Sequence, residues 1–301
     1  MALLVGILAV VSAGLYVLGS AVMQKGIIGL DEQRAQSVRH RPYVVALILS
    51  PVFLLGIGIE LAGFGLHSIA LGLGSLAMIS ILQTSEILFM LPASKWTAGA
   101  DLQRNEYIGA AVVLVGLLGT IIFGRTTAGI NDPQTHAIFL TTIVCWVVAG
   151  AFTAVGLMSQ TLRAAMLGIA AGVLFGLVAA ITKIVVDQLA RDGFMSVVTQ
   201  WPVWAMALSG LGAAALQVVA FGAGKLSASL SAIIVATPIA SVLIGMTVFG
   251  EEFKVSHAIG WFLLIASYAL CVFGVVLLAR SPAIAALHAE HSEEEAVAPT
   301  T

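Results

Sequence analysis

The chain has 301 residues, 60% of them hydrophobic and 9% charged, with a formal net charge of −2. A soluble domain carries roughly 25% charged residues, so this composition cannot coat a water-exposed surface and excludes a soluble globular protein. The near-neutral balance, without a long basic block, argues against a nucleic-acid partner.

A helix needs about 20 mostly apolar residues to cross roughly 30 Å of hydrocarbon. Nine segments qualify, at about 2–24, 43–66, 73–94, 106–124, 135–157, 164–188, 195–223, 228–249 and 256–279. They are too continuously apolar for the alternating strands of a membrane barrel, and only helices or closed barrels satisfy backbone polar groups in lipid. The expected fold class is all-α, a polytopic membrane protein with the lipid bilayer as its surroundings.

In chain order, MALLVGILAV lacks a positive leader region and an A-x-A cleavage site, so it reads as a retained first span rather than a signal peptide. The loop KGIIGLDEQRAQSVRHR (25–41) is explained by orientation and contact with anionic lipid. Span 2 carries Pro51, read as a kink, and Glu60 toward its outer end, which either recruits a cation or reaches the headgroup region.

Span 3 contains ISILQTSEILFM, which places Glu86 at mid-depth. At 100° per residue Gln83 and Glu86 share a face, and Ser80 and Thr84 extend a polar arc. An acid at the centre of a span costs about 2.5–3.5 kcal/mol on insertion scales, so it faces a cavity or a partner. The arc offers the oxygen ligands of a hard cation or of a proton-coupled site; the competing reading is a protonated Glu that glues helices together.

Span 6 carries Lys183 and Asp187 at i,i+4, read as a local ion pair, or with Lys183 facing the cavity to bind an anionic group or to serve as the counter-ion of Glu60 or Glu86. Span 7 holds Gln217. In span 8, Thr237-Pro238 either frees carbonyls to line a cavity or makes a packing kink. Cys145 and Cys271 lie in apolar runs and imply neither disulfide nor metal site. The tail from about 281 is acidic and expected to be disordered, its His288 and His291 solvated rather than metal-bound. No G-x-S-x-G, H-E-x-x-H or P-loop is present, so neither an enzyme nor a cofactor is expected.

Lys25, Arg34, Arg39, Arg41, Lys95, Arg104, Arg163, Lys225 and Arg280 fall on one side of the nine spans, and Arg125, Arg191 and Lys254 on the other. The richer side is cytoplasmic by the positive-inside rule, which puts the amino end outside and the carboxyl end inside a plasma or inner membrane. Tyr43, Trp96 and Tyr107 then mark the inner interface, and Trp201, Trp204 and Trp261 the outer one.

The two halves align. DLQRNEYIGAAVVL (101–114) lies over EFKVSHAIGWFLLI (252–265), ELAGFGLHSIALGLGSL (60–76) over QVVAFGAGKLSASLSAI (217–233), and GILAVVSAG (6–14) over GIAAGVLFG (168–176). Spans 1–4 (residues 1–124) thus repeat as spans 6–9 (161–280), joined by connector span 5 (125–160). Five crossings separate the two starts, so the repeats are inverted, the construction of many secondary transporters.

A first span ending in Gln24-Lys25-Gly26, Glu60-x-Ala62-x-Phe64, Lys183, Thr237-Pro238 and Phe-Gly-Glu at 249–251 together resemble the drug/metabolite transporter (EamA-like) superfamily. The nine-span layout is most similar to its NIPA-type magnesium-transporting branch. The resemblance implies alternating access by inverted repeats, with Glu60 and Lys183 as positions matching the pattern. The expected function is secondary transport of a small solute, coupled to protons or a cation, through Glu86, Gln83, Thr84, Glu60, Lys183, Gln217 and Thr237. A divalent-cation transporter using Glu60 and Glu86 as ligands, or a non-transporting membrane scaffold, are the alternatives, and a homodimer is an allowed assembly.

Overall fold

The computed structural model describes residues 2–35, 50–98, 103–124, 126, 127, 129, 130, 133, 135–159, 162–223, 226–255 and 257–280. These form eleven helices: α1 Ala2–Ala35, α2 Pro51–Leu73, α3 Leu76–Gln83, α4 Glu86–Ala98, α5 Arg104–Phe123, α6 Thr135–Met158, α7 Arg163–Asp192, α8 Phe194–Thr199, α9 Trp201–Gly222, α10 Leu226–Val248 and α11 Ala258–Ala279. Among the described residues nine segments are long and apolar enough to cross a membrane, α3 and α4 together making one. Large apolar side chains cover the outside, with Leu61 and Ile265 each 64% exposed and Phe262 70%. Such a surface is stable against hydrocarbon and not against water. The chain is a multi-pass α-helical membrane protein.

Four boundaries differ from those expected. α1 runs on to Ala35, so most of the expected loop 25–41 is helical. Pro51 starts α2 instead of kinking it: Ser50 caps the helix, its Oγ accepting from Phe53 N at 3.4 Å, and proline at the first position loses no bond. This moves the span toward the carboxyl end and brings Glu60 near the middle of the 23-residue helix, not its outer end. Span 3 is two helices, broken at Thr84-Ser85. Span 7 is divided at Gln200, before Pro202 in the first turn of α9. Tyr43, Arg39, Arg41, Arg125, Lys225 and the tail with His288 and His291 lie outside the described residues.

α7 is the central element, packed by α6, α9 and α10 and touched by α2 and α3. α1 lies along α2, α3 on α10, and α5 on α11. The α7–α10 seam is made by Gly168, Gly172 and Gly176, which put three small residues on one face. A Cβ at Gly172 would stand 2.7 Å from Ala236 Cβ and 3.0 Å from the Ile233 carbonyl.

The connection after α5 pairs with the one after α10. Thr127 N donates to Glu252 O at 2.9 Å, Ile130 N to Phe249 O at 2.8 Å, and Thr126 bridges Phe253. Both ends therefore lie on the same face of the bundle. Gly129 (φ 66°) sits against the Phe249 carbonyl, while Gly193 (φ 77°) has open space around it. A positive φ strains an L side chain by about 1–3 kcal/mol, and Gly193, with ψ 172°, lies in a region that is essentially glycine's own. Gly193→Ala should lower the thermal midpoint by that strain alone. Gly129→Ala, which adds a clash, should lower it further; equal midpoints for the two variants would show the loop pairing to be loose.

Candidate functional site

The first polar cluster lies between α1, α2 and the α3–α4 break. Ser12, Tyr16 and Ser20, four apart, fall on one stripe of α1; Glu60 and His67, seven apart, share a face of α2. Gly19 and Gly56 let these helices close up: a Cβ on Gly19 would stand 2.9 Å from the Gly56 carbonyl. That approach lets Ser20 Oγ donate to Glu60 Oε1 at 2.6 Å.

At the break, Gln83 Nε2 donates to Glu86 Oε1. Ser12 Oγ lies 2.8 Å from Ala9 O and 3.3 Å from Gln83 Oε1, tying α1 to the end of α3. Tyr16 stands edge-on to His67, centroids 6.3 Å apart. Glu60, Gln83, Glu86 and Tyr16 are half-buried. The hydroxyls of Ser80, Thr84 and Ser85 are buried without a hydrogen-bond partner among the described residues.

The second cluster is fully enclosed. Glu251, 2% exposed, accepts from Lys183 Nζ at 2.8 Å, Ser75 Oγ at 3.0 Å, Leu76 N at 2.6 Å and Ala77 N at 2.9 Å. The backbone donors are the free N–H groups of the first turn of α3, where a carboxylate is favoured by both bonding and dipole. Lys183 is 0% exposed and also lies over the Phe249 ring, 4.8 Å from its centroid. This corrects the expected i,i+4 pair: Asp187 bonds Arg191 instead, and Lys183 is the counter-ion of neither Glu60 nor Glu86.

Of the expected site residues, Gln83 and Glu86 are bonded to each other with Thr84 beside them, and Gln83 and Glu60 are both tied to the Ser12–Ser20 stripe of α1, two turns apart. Lys183 is in the enclosed node. Gln217 sits on α9, which packs on α7 and α10 and not on the acidic cluster. Thr237 Oγ1 donates back to Ile233 O at 2.9 Å, on the face of α10 that meets the glycines of α7. An apolar cavity of about 630 Å³ between α6, α7 and α10, lined by Cys145, Phe152, Val173 and Ile239, lies apart from both clusters. Sequence reasoning missed Tyr16 and the Ser12–Ser20 stripe, whose signal was the four-residue spacing, and the role of Glu251, whose signal was an acid directly after Gly250.

Among the described residues no group of three His, Cys, Asp or Glu is placed to hold a metal ion. Nor is any described Lys or Arg paired with Glu60 or Glu86. The arrangement is that of a bundle of membrane-length helices with two half-buried acids, Glu86 at the break of the third span and Glu60 on α2. The chain is similar to an uncharacterized protein of Corynebacterium glutamicum, 29% identical over 255 residues that cover 84% of this chain and 87% of that one. No family model and no solved structure matches it.

Proposed function

We propose that the protein is a secondary transporter that moves a small solute by alternating access between two inverted four-helix repeats joined by α6. The observation that carries this is the half-buried Glu86 at the α3–α4 break, with a second half-buried acid, Glu60, on α2 across the same stripe of α1. Ionisable groups and broken helices at membrane depth are tolerated where they line a solute path.

The repeat reading is supported by packing. The aligned Gly6 and Gly168 each face the third span of their own half, Gly6 toward Leu82 and Gly168 toward Ser229. The same holds for Gly14, against Phe89, and Gly176, against Ala240. The third and eighth spans meet as α3 on α10, and the fourth and ninth as α5 on α11, pairings that a two-fold relation maps onto themselves. The resemblance to drug/metabolite transporters points the same way. With the carboxyl end cytoplasmic, the Lys183–Glu251 node faces outward, and the stack of Lys25 on Trp96, 3.8 Å from the ring centroid, lies at the inner end.

The test needs no substrate. Ser20 is exposed beside Glu60. Ser20→Cys, with Cys145 and Cys271 replaced by alanine, is probed with a membrane-impermeant maleimide in right-side-out and inside-out vesicles. Labelling from both sides is expected of alternating access. Labelling by lipid-soluble reagents alone would return the acids to the role of helix glue.

A further inference from the structure

We infer that the apolar groove between α6, α7 and α10 holds one acyl chain of a membrane phospholipid, whose phosphate is bound by Arg163 at the amino end of α7. Such binding needs a bilayer and no transport.

The groove, about 630 Å³ in volume, offers an occupant hydrocarbon contact alone. The two threonines that line it, Thr141 and Thr247, turn their hydroxyls back on their own helices, onto Ala137 O at 2.8 Å and Leu243 O at 2.6 Å. A buried water needs two to four polar partners, so neither water nor a polar solute is held there. Leu140, Val144, Ile239 and Leu243 are exposed along the groove, which therefore opens to the surrounding bilayer. A concave apolar wall left without atoms against it forfeits its dispersion contacts, and acyl chains are the atoms at hand.

Its shape suits one chain. From Leu140 to Phe152 the groove follows α6 for about 18 Å. A volume of 630 Å³ over that length is a cross-section of about 35 Å². This accommodates an extended chain, whereas a helix of a second copy is about 10 Å across with its side chains.

Charge names the head. Gly156, one turn beyond Phe152, packs against the start of α7: a Cβ there would stand 3.4 Å from Arg163 O and 3.1 Å from Met166 Cβ. Arg163 thus begins where the groove ends, about 9 Å along α7 from Ile169 in its lining. Its Nε is buried without a hydrogen-bond partner, and among the described residues no carboxylate pairs with it. Lys183, Arg191 and Lys25 all have partners.

A guanidinium matches phosphate geometry with paired N–H donors. The first turn of α7, which Leu162 leaves without a side-chain cap, adds positive character beside it. The positive-inside rule puts this end on the cytoplasmic face, the leaflet rich in anionic lipid. Glycerol and the first chain carbons span the gap between Arg163 and the groove. A free phosphate would leave the groove unfilled, and a neutral lipid would leave Arg163 without an anion.

The experiment uses the full chain, delipidated in dodecyl maltoside, and follows its thermal midpoint while dioleoylphosphatidylglycerol, dioleoylglycerol or glycerol phosphate is added. The phospholipid should raise the midpoint saturably, with one molecule retained per chain in native mass spectrometry. Dioleoylglycerol should need at least about ten times the concentration, one lost charge-assisted contact, and glycerol phosphate should do nothing. Arg163→Gln should weaken the phospholipid response about tenfold and leave that to dioleoylglycerol unchanged. Ile239→Trp and Val148→Phe, which fill the groove, should abolish both responses, and either one that purifies suffices. Leu118→Trp, on an exposed face of α5, should behave as wild type.

Equal responses to the two lipids, a response to glycerol phosphate alone, or an unchanged phospholipid response in Arg163→Gln or in the groove variants would each overturn the inference. A wild-type dimer that the groove variants dissociate would assign the groove to a second copy instead.

Discussion

Glu251→Ala should destabilise the protein by about 3–5 kcal/mol, the cost of stranding one member of a buried ion pair. The substitution leaves the Lys183 ammonium at zero exposure without its carboxylate partner. It also uncaps α3 by removing the acceptor of Leu76 N, Ala77 N and Ser75 Oγ. Lys183→Met should cost less, because the remaining carboxylate keeps three neutral donors at a helix N-terminus. The double variant Lys183→Met/Glu251→Gln should be milder than Glu251→Ala, since glutamine still offers an oxygen to the α3 turn.

Thermal midpoints of the three purified variants test this order, and a Glu251→Ala midpoint within a degree or so of wild type would mean that the node is not formed. A functional effect should accompany the loss. α3 is a rod of eight residues, about 12 Å long, anchored by Glu251 at one end and carrying Gln83 at the other. Loosening the anchor releases the donor that orients Glu86, so the two-sided maleimide labelling of Ser20→Cys should change in Glu251→Ala even where the protein remains folded.

Gly172→Val is the second large effect. The α7–α10 seam brings backbone against backbone: added Cβ atoms would meet Ser229 O at 2.6 Å from Gly168, and Thr237 O at 2.9 Å from Gly176. No flexible side-chain end can yield there, so the helices must separate along the whole seam. Overpacking of a tight core costs about 1–3 kcal/mol, and more when backbone has to shift. Loss of most monodisperse protein on size exclusion is expected. Gly150→Ala, on an exposed face of α6 with nothing within 4 Å, should have no effect. A Gly172→Val protein that purifies normally would show that the two helices are not packed at this distance.

The glycine seam illustrates what a linear reading can see. Spacing of four along α7 is visible, yet the chain has 31 glycines, and spacing does not tell which stripe meets which neighbour. The polar arc around Glu86 is a similar case. Its acid and amide were legible because a carboxylate in an apolar run is costly wherever the run goes. Tyr16 and Ser20 were not, because each is unremarkable on its own helix and acquires meaning from Glu60, 40 residues from Ser20.

By itself, the amino-acid order determined the membrane class, nine segments long and apolar enough to cross among the described residues, and an acid in the third. All of these follow from local quantities: apolar length against bilayer thickness, and the cost of a charge in hydrocarbon. Tertiary structure decided which charges meet. The i,i+4 spacing pointed Lys183 at Asp187, a rule that holds on a solvated helix, but a buried ammonium needs an enclosed carboxylate and finds Glu251, 68 residues away. The position of Glu60 along its helix was likewise decided by the Ser50 cap, and the third span breaks at Thr84-Ser85, within the polar stretch Gln83-Thr84-Ser85-Glu86 that the linear reading kept inside one helix. The physical reason is common to these cases: burying a residue depends on its neighbours in the stretch, while satisfying a buried charge or donor depends on groups that only folding brings within 3 Å.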